Sequence, residues 1–294
     1  MDHVMTLIAG PREMGLPALV AKLATALPLG APADWLAPAL ACDLPLADDD
    51  PQAAEIVART AIGDRVIDVV VQPGAGRRKH LLIADLESTI IENEMLEELA
   101  EFIGLRAEVA NVTRRAMNGE LDFVAALEAR VALLNGMPIS VLTEAAARIR
   151  LMPGATTLLA TLRAAGVRTA LVSGGFTVFA DAIAEKLGFD HVVANHLEIA
   201  EGRIAGAVRH PIVTSATKRE TLLDLSSRYD LGAEDVIAVG DGANDLPMLQ
   251  TAGIGVGFHA KPVVAASARY RIDHADLTAL LYLQGYRAEE LVLG

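Results

Sequence analysis

The chain has a single cysteine, Cys42, among 294 residues. No intrachain disulfide is available, which fits a reducing compartment such as the cytoplasm. A lone thiol of this kind is expected to act as a small buried hydrophobe. Aromatic residues are scarce at 4%, although hydrophobic residues reach 52%. The core must therefore be built from Ala, Leu, Val and Ile. Cations are outnumbered, 25 Lys and Arg against 38 Asp and Glu, for a formal net charge of -13. That balance argues against a main task of holding nucleic-acid backbone, which needs clustered Lys and Arg. It leaves room for an anionic small substrate, because a local cation or metal reverses the sign in one pocket. No uncharged apolar run reaches about 18 residues, so no transmembrane helix and no membrane partner are expected. Met1-Asp2-His3 carries no positive segment before an apolar stretch, and no signal peptide is expected.

Residues 1–76 read as a small α+β module. "VMTLIAG", "ALACDLPL" and "RVIDVVVQP" have strand character, and "LPALVAKLATAL" is an amphipathic helix. "DPQAAEIVARTA" is a second helix, with an Asp cap and Pro at its first position. "PGAGRRK" reads as a linker whose cations form a solvated run.

From residue 80 apolar strands alternate with helices: "HLLIAD", "VRTALVSGG", "HVVANHLEI", "VIAVG" and "IGVGF" are separated by helical stretches. This is the α/β pattern of a doubly wound parallel sheet. Residues 92–150 are almost wholly helical in pattern and follow the first of these strands. They are expected to form a small helical cap, inserted into a core of residues 77–91 and 151–294.

Three strands end in short polar residues and glycine: Asp85-Leu86-Glu87-Ser88-Thr89, Ser173-Gly174-Gly175, and Gly240-Asp241-Gly242-Ala243-Asn244-Asp245. Ligands of open parallel sheets bind beyond the carboxyl ends of the strands, so these ends should converge. Asp85 and Asp241 offer hard oxygens suited to Mg2+. Ser173, with the Gly174 amide ahead of a helix, offers an anion site. Lys218 opens the helix "TKRETLLDL" and reaches a phosphate as a point charge. A carboxylate beside Mg2+, with a phosphoryl group in line, can attack phosphorus to give an aspartyl-phosphate. A second acid two residues on can protonate the leaving alkoxide and later take a proton from water.

From about residue 79 to 285 the chain resembles the haloacid dehalogenase (HAD) superfamily, with "DLEST", "VSGGF", Lys218 in "SATKRETLL" and "VGDGAND" in the family's order. Within it, the cap "ENEMLEELAEFIGLRAEVANVTRRAMNGELDFVAALEARVALLNGMP" is similar to that of phosphoserine phosphatases. The resemblance implies a Rossmann-like core and hydrolysis of O-phospho-L-serine, the last step of L-serine biosynthesis. It implies Asp85 as nucleophile and Glu87 as general acid/base, with Ser173, Gly174, Lys218 and Asn244 around the phosphoryl group. Mg2+ would lie between Asp85, the carbonyl of Glu87 and Asp241, with Asp245 behind them. Glu94 would meet the serine ammonium, Arg130 its carboxylate, and Met117 and Phe123 would shape the pocket. Residues 1–76 stand where related enzymes carry an amino-acid-sensing (ACT-like) domain, but they show no ligand motif. A stabilising or homodimer-forming role suits them at least as well. His191, His196, His210, His259 and His274 match no motif position.

One position departs from the pattern, because the family usually has Asp where this chain has Glu87. The extra methylene moves the carboxylate by roughly one C–C bond length, a displacement that can cost about a hundredfold in rate. Model acidities of Asp and Glu differ little, so geometry rather than acidity is at stake. Three outcomes follow: an adjusted phosphatase, a phosphotransferase that passes the group from phosphoserine to homoserine, or a weakened enzyme that serves as a phosphoserine or serine sensor.

Overall fold

A computed structural model describes residues 3–47, 50–117 and 120–293, the side chain of Met117 excepted. The chain divides into two compact units. One comprises Met1–Lys79, Pro153–Ala165 and Tyr270–Gly294, the other His80–Met152 and Gly166–Arg269.

The first unit holds β1 (His3–Ala9), α1 (Leu16–Ala26), β2 (Asp34–Ala37), β3 (Ala41–Leu46), α2 (Pro51–Ile62) and β4 (Ile67–Pro73). Its sheet has the order β2-β3-β1-β4, with β1 antiparallel to both β3 and β4. Met5, Leu7, Leu19, Leu23, Leu44 and Val69 lie in its core, and Cys42 is buried there as expected. Burial pushes the Cys42 thiol up to about 12, with Asp43 and Asp34 adding to the effect, so it stays protonated. Asp50 caps α2 by accepting the Ala53 N–H at 2.9 Å, and Pro51 occupies the first turn.

The expected solvated run at residues 77–79 is corrected. Arg77 is half-buried against Asp43 at 2.7 Å, and Asp43, itself buried, also accepts the Thr6 hydroxyl at 2.6 Å. Lys79 is buried, with Nζ donating to the Gly76 carbonyl. Only Arg78 of the three is well exposed, pairing with Glu290.

The second unit begins with β5 (Leu81–Ala84). Four helices follow: α3 (Met95–Glu101), α4 (Arg106–Met117), α5 (Phe123–Ala132) and α6 (Ser140–Ala146). The ends of this insertion are tied together, since Ile91 bridges Leu151 and Glu92 N–H donates to the Arg150 carbonyl. After α7 (Ala155–Ala164), which belongs to the first unit, come β6 (Arg168–Phe176), α8 (Thr177–Leu187), β7 (His191–Ala200) and β8 (Arg203–Arg209). Then follow α9 (Ser215–Arg228), β9 (Val236–Gly240), α10 (Leu246–Thr251), β10 (Ile254–Phe258) and α11 (Pro262–Ser267).

The sheet of this unit runs β10-β9-β5-β6-β7-β8. It is parallel from β10 to β7. The last strand, β8, is antiparallel to β7, so the sheet is mixed rather than wholly parallel. Its turn explains this. Glu201 and Gly202 both have positive φ, 51° and 73°, which suits a two-residue hairpin. β5 lies between β6 and β9, and its residues are apolar and fully buried because both faces are covered.

Candidate active site

The strand order brings three carboxyl ends together. In register, Ala84 of β5 faces Leu171 of β6 on one side and Val239 of β9 on the other. Asp85 follows β5 at once, Ser173 lies two residues past Leu171, and Asp241 lies two past Val239. All three are buried, at 5%, 1% and 4% exposure. The turn after β5 is tight, with Ser88 at φ 55°, and its hydroxyl donates to Glu94 Oε1 at 2.7 Å.

Lys218 reaches the same point from α9. Thr214 and Thr217 form a capping box at the start of that helix, which fixes Lys218 in its first turn. The ammonium is fully buried and lies 2.5 Å from Asp85 Oδ1 and 2.6 Å from Asp245 Oδ1. Asp245 Oδ2 accepts the Gly242 N–H at 3.0 Å, so both its oxygens are held. Lys261, before α11, pairs with Asp241 Oδ2 at 2.9 Å.

A pocket opens above this cluster. Asp85, Glu87, Gly174, Asp241 and Asn244 line it from the sheet side, and Glu94, Phe123 and Arg130 line it from the helical insertion. Ser173, Lys218 and Asp245 stand just behind the lining. Arg130 is buried, with Nε donating to the Ala126 carbonyl at 2.8 Å and one terminal nitrogen donating to Thr113 Oγ1 at 2.5 Å. Phe123 packs on Gly174 so closely that a Cβ there would come within 2.8 Å of the ring. Met117 ends α4, and its side chain lies outside the described residues. None of the five histidines named above lines the pocket.

Burial and like charge dominate the electrostatics. Burial pushes Asp85 up to about 7, with Lys218 opposing and Asp245 and Asp241 reinforcing. Asp241 is likewise pushed up to about 7 by burial, against Lys261. Glu87 rises to about 8 through burial and the neighbouring Glu94, although the Met95 N–H donates to its Oε1 at 2.9 Å. Burial raises Glu94 and lowers Arg130. For Lys218, burial is outweighed by Asp245 and Asp85, which hold the ammonium above its ordinary range.

The donor chemistry suits a hard divalent cation. Asp85, Asp241 and Asp245 each present a carboxylate oxygen within 4.8 Å of the others. The Asn244 amide oxygen is buried at the same pocket without a hydrogen-bond partner. A cation here would offset the burial penalty that chiefly raises the aspartates, and the repulsion that adds to it.

Two residues escaped the sequence reading. Lys261 had a weak signal, a lone cation before Pro262 at a helix start. Asn195 is a buried polar residue inside an apolar strand, a pattern that asks for a partner.

The fold and this arrangement of carboxylates, hydroxyl and ammonium are those of a known hydrolase family. Residues 82–250 match the model of the haloacid dehalogenase-like hydrolases, and the chain belongs to that family. Within it, the chain is 46% identical over 199 residues to a phosphoserine phosphatase of Streptococcus thermophilus, covering 68% of this chain and 93% of that one. It is 45% identical over 223 residues to a phosphoserine phosphatase of Streptomyces coelicolor, covering 76% of this chain and 54% of the other. The chain thus spans little more than half of the latter's length. A crystal structure of a HAD family hydrolase from Salmonella enterica serovar Typhi superposes with TM-score 0.83 at 30% identity, covering 96% of this chain and 97% of that one. A phospho-aspartyl intermediate analogue of phosphoserine phosphatase gives TM-score 0.67 at 36% identity, covering 70% and 98%.

Proposed function

We propose that the chain is a Mg2+-dependent phosphoserine phosphatase, hydrolysing O-phospho-L-serine to L-serine and phosphate through an aspartyl-phosphate at Asp85. One observation carries the reading: Glu94 and Arg130, opposite in charge, line the same pocket as Asp85 and Glu87. An amino acid presents one cation and one anion at fixed separation. Glu94 meets the ammonium, and the fork of Arg130 meets the carboxylate. Phe123 and Met117 shape the space around the substrate.

Asp85 attacks phosphorus with Oδ2, since Lys218 holds Oδ1. The bond from phosphorus to the serine oxygen breaks, and protonated Glu87 gives its proton to the departing alkoxide. Glu87 then takes a proton from water, whose oxygen attacks phosphorus and releases Asp85. Ser173, the Gly174 amide, Asn244 and Lys218 hold the phosphoryl oxygens as charge moves onto them. Asp85, Asp241 and the Glu87 carbonyl would hold Mg2+, which when bound neutralises charge on the phosphoryl group. Asp245, with both oxygens taken, anchors Lys218 instead.

Residues 92–150 act as a cap that opens for substrate and closes against bulk water. Residues 77–91 and 151–294 form the catalytic core. Residues 1–76 are an ACT-like module, in one compact unit with residues 153–165 and 270–294, that stabilises the chain or pairs two copies of it. The buried Cys42 suits a cytoplasmic protein, and no helix among the described residues is long and apolar enough to cross a membrane.

Phosphate release from O-phospho-L-serine and from phosphoethanolamine, which lacks the carboxylate, tests the reading. A preference for phosphoserine of at least about a hundredfold is expected, because the analogue leaves Arg130 unpaired. Equal rates would sink the assignment. Glu87 in place of Asp supports a second reading, so homoserine belongs in the same assay. Its phosphorylation in place of phosphate release would replace hydrolysis with phosphotransfer.

A further inference from the structure

Asn195 lies within β7, almost wholly buried. Its amide makes two hydrogen bonds of opposite sense. Nδ2 donates to the Gly174 carbonyl at 2.8 Å, and Oδ1 accepts the Val213 N–H at 2.8 Å. The partners fix which end is which, because a carbonyl only accepts and a backbone N–H only donates.

The first bond meets a local need. The β6–β7 ladder breaks between Val172 and Phe176, so the Ser173-Gly174-Gly175 stretch leaves it. Buried backbone groups released from a ladder need partners. The Gly174 carbonyl and the Gly175 N–H belong to one planar peptide unit, so fixing one fixes the other. That same N–H donates to Ser173 Oγ at 2.9 Å. Asn195 therefore orients the Ser173 hydroxyl through a single peptide plane, and leaves its hydrogen to be donated elsewhere.

The second bond reaches the other half of the site. Val213 directly precedes Thr214, the cap of α9, and Lys218 sits in the first turn of that helix. One buried amide thus spans the two segments that carry Ser173 and Lys218.

We infer that Asn195 is a positioning residue that sets the spacing of the Ser173 hydroxyl and the Lys218 ammonium around a phosphoryl group. It touches no substrate. The inference rests on reading Ser173 and Lys218 as phosphoryl-holding groups. Asn195→Asp separates its two arms. Ionised, its carboxylate still accepts from Val213 but places an oxygen against the Gly174 carbonyl where a donor stood, so the comparison is made on the alkaline side, where a buried carboxyl has lost its proton.

The test compares wild type with Asn195→Asp in Mg2+, measuring amide hydrogen exchange, affinity for inorganic phosphate and for L-serine, and Tm. In the variant, exchange at Gly175 should quicken while Val213 stays protected. Phosphate should bind about tenfold more weakly, the scale of one lost hydrogen bond, with L-serine affinity unchanged. A merely structural asparagine would lower Tm and weaken both ligands together, and that result overturns the inference. So does unchanged exchange at Gly175. Wild type that binds no phosphate would overturn the functional reading, whereas the exchange pattern reports on Asn195 whatever the ligand. Should Asn195→Asp fail to fold, Asn195→Ala removes both arms without burying a charge. It should then loosen both Gly175 and Val213, and protection of both would overturn the inference.

Discussion

The ammonium of Lys218 lies 2.5 Å from Oδ1 of Asp85, with side-chain exposures of 1% and 7%. Neither group has water to fall back on. Lys218→Met leaves Asp85 and Asp245 facing each other without their cation. Turnover should fall by at least about a hundredfold, the scale for losing one preorganised charge donor. Breaking a buried pair costs about 3–5 kcal/mol, so thermal unfolding of the variant should move well below wild type. An unchanged Tm would show that the pair is not structural.

Asp85 gives a sign to the pH dependence of stability. Its folded carboxyl is raised from 3.8 to about 7, chiefly by burial. A raised acid contributes stability that is fully present below the unfolded value and lost as pH rises through the folded one. Metal-free wild type should therefore lose stability between about pH 4 and 7, and Asp85→Asn should lose less over that window. Denaturant melts of both proteins across the range check this. Parallel curves would contradict it.

Mg2+ should displace protons from the same carboxylates. Asp85 and Asp241 both stand near 7, so part of each population is protonated at neutral pH. Binding a cation favours the ionised forms. Titration calorimetry of Mg2+ at pH 7 in buffers of different ionisation heat should report net proton release, smaller in Asp241→Asn, where only Asp85 remains to release one. Chelation should abolish turnover and Mg2+ should restore it.

Glu87, raised to about 8, is protonated at neutral pH and ready to donate. A general acid is lost as pH rises through its value, so kcat/KM should decline above about pH 8. Glu87→Gln keeps the length and an acceptor for the Met95 N–H but carries no proton. It should lower kcat by about a hundredfold and remove the alkaline decline. A decline that persists in the variant would assign it to another group.

Much of the site was legible because its chemistry sits at strand ends. Asp85, Ser173 and Asp241 each close an apolar run with a polar turn, and a parallel sheet can only bring such ends together. The capped start of α2 was equally readable, from Asp50-Pro51, whereas α9 begins two residues earlier than "TKRETLLDL" suggests, at Ser215 behind the Thr214 cap. What stayed hidden depends on tertiary partners. Arg77 reads as a surface charge until Asp43 is found beside it. β8 was missed because Gly206 weakens its strand pattern, and the Glu201-Gly202 hairpin signal is a poor relative of Asn-Gly. Lys261 and Asn195 act through groups far away in sequence, so no local pattern marks them. Glu87 was legible as a departure, but its Met95 contact was not.

The central claim is that Asp85 carries the phosphoryl group of phosphoserine. Rapid acid quench of the enzyme turning over O-phospho-L-serine with Mg2+, followed by peptide mass spectrometry, tests it most directly. The account predicts a phosphoryl adduct on Asp85 in wild type and in Glu87→Gln, where both its formation and its hydrolysis are slowed, and none in Asp85→Asn. Steady phosphate release with no adduct in either protein, or turnover surviving in Asp85→Asn, would contradict it.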